Sequence, residues 1–269
     1  MLRKRIKKWL YGSCPGLAGA FRYYNTKVYF PKNSIIFHLA CDQGIYESEN
    51  IRLISALLAP DTVYFDVGAN IGLMALPLLH TCPNCTVVSF EPSPNTLQFL
   101  SRTAKDSGFG DRWRIIGKAA GSNIGSLEFC TAATELGAFD GFQDTKRAGD
   151  TQKVTVPVTT LDAEWEAMGK PPVSFIKIDV EGAEMQTLQG SISCIKHEQP
   201  YILLEWNPIN LKAYECDPES LLTLADSLGY QVFSVPSLVP VPDFTMLKLQ
   251  MVKTENFLLV PPDSRRSPQ

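Results

Sequence analysis

Four short apolar runs of this chain each end on an acidic residue: Val63-Tyr-Phe-Asp66, Thr86-Val-Val-Ser-Phe-Glu91, Phe175-Ile-Lys-Ile-Asp179 and Tyr201-Ile-Leu-Leu-Glu205. Such runs read as strands buried on both faces of a parallel sheet, and a sheet of that kind binds its ligand beyond the carboxyl ends of its strands. The residues just after each run are therefore where chemistry would be done. After Asp66 comes Val67-Gly68-Ala69-Asn70-Ile71-Gly72, whose Gly-x-x-x-Gly spacing departs from the GxGxxG fingerprint of dinucleotide binding. A pyrophosphate would also meet the like charge of Asp66, whereas an ammonium or sulfonium would meet an opposite one. Gly68 and Gly72, with Ala69 and Asn70 between them, let the backbone approach a ligand, and the helix expected to follow can hold a carboxylate at its start. Glu91, about 20 residues beyond the loop and closely followed by Ser93, stands where an acid takes the hydroxyls of a ribose. A cation, a carboxylate and a ribose together describe S-adenosylmethionine. The plainer alternative, with Asp66 capping a helix and Glu91 solvated, treats two acids and two glycines as coincidence.

Methyl transfer from a sulfonium is an in-line displacement in which positioning does much of the work. A hydroxyl acceptor must also give up its proton as the new bond forms. His38, His80 and His197 all fall outside the strand-end segments. Asp179 and Glu181 are better placed, Glu181 as base and Asp179 either as base or as the holder of the cofactor's amino group. Lys177 would orient a carboxylate or a hydroxyl, and an ion pair within the sheet accounts for it equally well. Asp179, Glu181, Glu184 and Glu205 form an oxygen-rich set suited to Mg²⁺ or Mn²⁺. Acids at a helix start need no ion to explain them, and no metal is expected. Cys82-Pro-Asn-Cys85 lacks the second pair of ligands that a structural zinc needs.

These residues must be held by a sheet with helices on both faces. Helices are expected near Leu73–Leu79, Asn95–Lys105, after Asp179 up to Gly190, and from Pro218 to Leu228 with Gly229 ending it. Further strands are expected at Trp113–Ile116, Tyr230–Val235 and Asn256–Val260. Residues 122–160 break the alternation: Ser126–Cys130 and Val154–Thr160 read as antiparallel strands around a polar stretch centred on Gly137-Ala-Phe-Asp-Gly141. We read this segment as an insertion beside the acceptor site. Residues 20–60 add elements that end in a helix near Glu49–Leu58. The division expected is an N-terminal extension over 1–43, an α/β domain over 44–261 and a disordered tail over 262–269.

The 269 residues are 45% hydrophobic and 20% charged, the composition of a compact globular chain. Five of the 25 Lys and Arg residues are Arg3, Lys4, Arg5, Lys7 and Lys8, leaving 20 to set against 28 Asp and Glu. That balance argues against a nucleic-acid partner. Leu2, Ile6, Trp9 and Leu10 share one helical face within this basic start. A solvated cap helix is the first reading, and weak membrane-surface contact through residues 1–10 the second. No run reaches the length of a membrane span, and no secretory signal follows the basic start, so a cytoplasmic protein, peripheral to a membrane at most, is expected. Seven scattered cysteines suit reduced thiols rather than a disulfide framework.

Val63–Gly72, Phe90-Glu-Pro92, Val158-Thr-Thr-Leu-Asp162, Ile176-Lys-Ile-Asp-Val-Glu-Gly-Ala-Glu184 and Asn256-Phe-Leu-Leu-Val-Pro261 together resemble the FkbM family of class I methyltransferases. The resemblance runs from about Gly44 to Pro261, with Ile45-Tyr-Glu47 similar to the family's lead-in, and the Lys177–Gly182 string is its specific part. It implies a Rossmann-like, mostly parallel seven-stranded sheet with an antiparallel last strand. It also implies S-adenosylmethionine as donor and O-methylation of a hydroxyl on a sugar, glycolipid or secondary metabolite, with a small-molecule or glycan acceptor. Three alternatives stand beside it. A nucleic-acid ribose methyltransferase is set against the acidic balance, and an NAD-dependent oxidoreductase against Asp66. A non-catalytic cofactor-binding module is set against the intact Asp179 and Glu181.

Overall fold

The computed structural model describes residues 19–31, 34–132 and 151–262. At its centre runs β3 (Val63–Val67), buried at all five positions, as a strand covered on both faces must be. It lies parallel to β4 (Thr86–Phe90) on one side and β9 (Val173–Ile178) on the other. β5 (Trp113–Ile116) extends the sheet beyond β4, and β10 (Tyr201–Glu205) extends it beyond β9. The chain thus builds outward through β3, β4 and β5, then returns to lay β9 against the opposite edge of β3. Strand order reverses between β3 and β9, and the crevice for a ligand opens there.

β13 (Asn256–Val260) runs antiparallel between β10 and β11 (Gln231–Ser234). The expected antiparallel last strand is present, but the sheet has eight strands rather than seven. The additional one is β12 (Val239–Pro240), paired to β11 through Phe233↔Pro240 and Ser234↔Val239. A proline carries no N–H for a further ladder, so its place at the edge is the one a sheet tolerates.

Alternate strand residues divide between two hydrophobic clusters. Tyr64, Phe175 and Leu203 face one side with Leu76, Leu78 and Leu100. Phe65, Ile176 and Leu204 face the other with Trp165, Leu188, Leu221 and Leu247. The covering helices include α3 (Ala75–Thr81), α4 (Pro94–Asp106), α5 (Leu161–Ala167), α6 (Glu184–Gln189), α7 (Ile192–Glu198), α8 (Pro208–Ala213), α9 (Ser220–Leu228) and α10 (Phe244–Met251). Gly229 ends α9 in the left-handed conformation at φ +75, as its position suggests. α3 starts at Ala75 rather than Leu73, because Gly72 and the turn after it come between loop and helix.

The N-terminal elements precede α3, and sequence reading resolves only the last of them. A hairpin of β1 (Ala20–Tyr23) and β2 (Thr26–Tyr29) turns at Tyr24 and Asn25, both with positive φ, the geometry that matches strand twist. α1 (Ile35–Gln43) and α2 (Ser48–Leu57) follow. Phe21, Phe30, Phe37 and Ile54 join the first cluster, with the Phe30 and Phe37 rings stacked at 4.1 Å. Tyr29 donates its N–H to Thr103 Oγ1 (3.0 Å) and its hydroxyl to Asp106 (2.7 Å), fastening the hairpin to α4.

A second sheet holds β6 (Ala119–Ala120), β8 (Thr151–Thr159) and β7 (Gly125–Ala132), the last two antiparallel with Phe129 opposite Val154. Phe129, Val156, Val158 and Ala119 form its buried face. The centre of this segment at 137–141, the basic residues 1–10 and the tail after Pro262 lie outside the described residues. Among the described residues no helix is long and apolar enough to cross a membrane.

Candidate active site

A cavity of about 350 Å³ opens at the reversal point, and its lining includes Gly68, Ala69, Asn70, Glu91, Lys177, Asp179, Glu181 and Glu205. The glycine loop leaves β3 and turns sharply through Gly68 (φ +82), Asn70 (φ +49) and Gly72 (φ +86). At Gly68 the missing side chain has a physical reason. A Cβ there would run into the main-chain carbonyl of Asp179, so only glycine lets this loop lie against the end of β9. Gly68 and Ala69 both donate their N–H to Phe90 O, at 3.1 and 3.0 Å, which joins the loop to the end of β4.

Glu91 organises the same loop. Its Oε2 accepts from Asn70 N (2.8 Å) and its Oε1 from Ser93 N (2.9 Å). These bonds tie the carboxylate to the loop on one side and to the start of α4 on the other, at the cavity wall. Ser93 itself is fully buried and caps α4, its Oγ accepting from Asn95 N at 3.3 Å.

Three of the expected cofactor residues are not on the cavity wall. Asp66 is fully buried behind the loop, where its Oδ1 accepts from the Tyr64 hydroxyl at 3.3 Å and its Oδ2 has no hydrogen-bond partner among the described residues. Burial raises its pKa to about 6, against the opposing pull of Lys177 and the Tyr64 bond. In the sheet Asp66 is paired in register with Lys177 of β9. Gly72 serves packing: a Cβ would meet the Trp113 ring at 2.7 Å and Leu100 at 2.9 Å. Ser93 is occupied as a helix cap.

Beyond β9 the acids gather. Lys177 is buried, and its Nζ lies 2.9 Å from Asp179 Oδ2. Burial alone would lower its pKa, but Asp179, Asp66 and Glu47 outweigh that and raise it, so the ammonium is firmly charged. Glu181 stands in the left-handed region at φ +57, and Gly182 at φ +114. Buried Glu184 holds this turn by accepting from Val180 N and Gly182 N, each at 3.1 Å. Burial pushes Glu184 up to about 7 even with those bonds opposing it. Carboxylate oxygens of Asp179, Glu181 and Glu205 all lie within 4.8 Å of one another, a spacing that would admit a cation. Burial, then Asp179 and Glu181, push Glu205 well above the usual carboxylate range, up to about 11.

Several wall residues escape the strand-end rule. Glu255 precedes β13, and because β13 is antiparallel its beginning, not its end, reaches the ligand edge. Tyr46 and Glu47 arrive from the segment before α2, with Asn50 Nδ2 donating to Glu47 at 3.0 Å. Burial, then Glu47, hold the Tyr46 phenol well above its usual range, so it stays a neutral donor. Ile35, Ile36 and Leu39 of α1, Met74 and Phe129 of β7 supply an apolar wall. The antiparallel direction of β13 was the available signal for Glu255, whereas α1 and Phe129 carry none in their local spacing.

A profile of the methyltransferase FkbM domain matches residues 66–232 of the chain. Among curated proteins, the hexuronic acid methyltransferase AglP of Haloferax volcanii is 26% identical over 153 residues, covering 56% of this chain and 58% of that protein. Methyltransferase 1 of Beauveria bassiana is 25% identical over 208 residues, covering 70% and 80%. Among solved structures, the methyltransferase FkbM from Methylobacillus flagellatus KT is 21% identical with a TM-score of 0.49, covering 83% of this chain and 52% of that one. The match thus spans little more than half the length of AglP and of the Methylobacillus structure.

Proposed function

The chain belongs to the FkbM methyltransferase family, and on that premise we propose that it transfers the methyl group of S-adenosylmethionine to a hydroxyl of a sugar, glycolipid or secondary metabolite. The observation that carries this reading is one cavity bringing together the Gly68–Asn70 loop, Glu91, Asp179 and Glu181. A glycine loop at the cavity wall and the carboxylates of Glu91 and Asp179 beside it suit an adenosyl group with a cationic centre. Bound S-adenosylmethionine supplies an activated methyl on a positively charged sulfur.

The chain's own residues would do the rest. Glu91 would take ribose hydroxyls while it keeps the loop in place. Asp179, braced by Lys177, would receive the ammonium of the amino-acid end. Glu181 would take the proton of the acceptor hydroxyl as its oxygen attacks. Lys177 then acts through Asp179 rather than on the acceptor. A sugar hydroxyl is supported by the kinship to a hexuronic acid methyltransferase.

Isothermal titration of the purified chain with S-adenosylmethionine tests the donor, and transfer of a labelled methyl group to a panel of neutral glycosides, amino sugars and uronic acids tests the acceptor class. Saturable binding with incorporation of label into one member is expected. No binding, and no dependence on Glu91→Ala or Asp179→Ala, would sink the proposal.

A further inference from the structure

Glu181 and Glu205 have one neighbour in common. Asn210 Nδ2 lies 3.0 Å from Glu181 Oε2 and 3.3 Å from Glu205 Oε2. We propose that Asn210 is a positioning residue: its amide nitrogen gives one N–H to each carboxylate, letting the two lie side by side and aligning Glu181 to take the acceptor's proton. This rests on the function proposed above.

The local structure delivers Asn210 to that place. α8 begins directly after β10, with Asn207 capping it by accepting from Ile209 N at 2.8 Å and Pro208 in its first turn. Asn210, 1% exposed, is therefore held in the first turn of α8, five residues after Glu205 at the end of β10. The Glu181 turn can reach it because residue 182 is glycine. A Cβ there would collide with the Tyr214 ring and stand 3.2 Å from Asn210 O. The backbone bonds from Glu184 then hold the turn from its other side.

Charge explains why an amide suits this position. Glu181 and Glu205 are faced by Asp179 and Glu184 from the segment after β9, Glu255 from before β13, Glu47 and Tyr46 from before α2, and Lys177 of β9, which is bonded to Asp179. Like charges so close, partly out of water, cannot all remain ionised without donors between them. A side-chain amide nitrogen brings two N–H groups and no charge. It can satisfy both carboxylates without neutralising the one that must act as base, as a lysine would. An apolar residue there would remove the donor that the two carboxylates share.

The test is calorimetric titration of the full chain with S-adenosylmethionine at pH 6–9, in two buffers of different ionisation enthalpy, which yields affinity and protons released together. Asn210→Asp keeps the shape but replaces the donor by a further carboxylate. N210D/E205Q returns the amide to the pair from the opposite side. N210D is expected to bind the cofactor and to release about one more proton than the wild type, as a cation displaces the proton the crowded acids had taken up. The double variant is expected to return to the wild-type count. A single variant too unstable to purify, beside a double variant that folds, carries the same conclusion. Equal proton release in N210D and wild type, or a double variant that folds no better and restores nothing, overturns the assignment. A wild-type chain that binds no S-adenosylmethionine removes the function itself, and is seen before any variant is compared.

Discussion

Gly68 and Asp179 are locked together through the backbone: the carbonyl of Asp179 occupies the space that a side chain on Gly68 would need. The two residues are far apart in sequence, yet this contact brings the loop after β3 against the end of β9. Gly68→Ala should therefore do more than strain a left-handed residue. Gly108 supplies the comparison, since it has the same φ of +82 and nothing within 4 Å of its Cβ position. Gly108→Ala should cost about 1 kcal/mol of stability, the backbone penalty alone, and leave cofactor affinity intact. Gly68→Ala should cost more and weaken S-adenosylmethionine binding at least tenfold, about 1.4 kcal/mol. Equal effects of the two substitutions on affinity would disprove the role of the Asp179 contact.

Lys177 offers a clean separation between an ion-pair role and a catalytic one. Removing it leaves Asp179 and Asp66 without their cation, and breaking a buried pair on one side typically costs ~3–5 kcal/mol. Lys177→Met should therefore lower the melting temperature and cofactor affinity together. Asp66→Asn in the same chain should restore part of the stability, because it removes one of the stranded charges. If Lys177→Met melts like the wild type and loses turnover alone, Lys177 acts on the reacting groups and the ion-pair account is wrong.

The buried acids make the free protein sensitive to alkali. Asp66 is raised to about 6, Glu184 to about 7 and Glu205 to about 11. Each binds its proton more tightly folded than unfolded, so its contribution is complete below about pH 4 and is lost as pH rises through the folded value. Across pH 5–9 the melting temperature of the ligand-free chain should fall. Glu205→Gln should flatten the part above pH 7, where Glu205 still titrates and the other two have finished. Differential scanning calorimetry of both proteins decides this. A wild-type melting temperature that rises from pH 6 to pH 8 would contradict it.

Much of the sheet could be read from residue order because its strands are short, apolar and covered. β5, β10 and β13 run over the residues expected, and the acids at the ends of β9 and β10 do meet in one cavity. What stayed hidden depended on partners distant in sequence. The four-residue strands β1 and β2 have no periodicity long enough to register, and they are held by aromatic packing and by Thr103 and Asp106 of α4. Asp66 looks like a ligand residue from its place at a strand end. Its side chain is nevertheless fully buried, bonded to the Tyr64 hydroxyl and level with Lys177 on the neighbouring strand, a placement that depends on the sheet being assembled. Glu255 needed the direction of β13, and Asn210 needed the close approach that Gly182 permits.

The assignment of roles within the acid cluster rests on Asp179 and Glu181, and two isosteric substitutions distinguish them. Glu181→Gln and Asp179→Asn each remove a negative charge with little change of shape, so packing losses are small. Glu181 is joined to Asn210 and Asp179 to Lys177, and this difference in partners underlies the expected difference in effect. Glu181→Gln should lower kcat by ~10²–10⁴, the usual worth of general-base catalysis, while cofactor affinity stays within a few-fold. Asp179→Asn should instead weaken S-adenosylmethionine binding, since an ionic hydrogen bond becomes a neutral one. Turnover should be unchanged by EDTA, because Lys177 and Asn210 already supply positive charge and N–H groups to these carboxylates. Titration calorimetry and single-turnover transfer, measured on the same preparations, give both quantities. Exchanged phenotypes would exchange the roles, and a collapse on chelation would put a cation where the base is assigned. If neither substitution slows transfer more than a few-fold, the acceptor's proton leaves without help from these acids and the rate comes from alignment of the reacting groups.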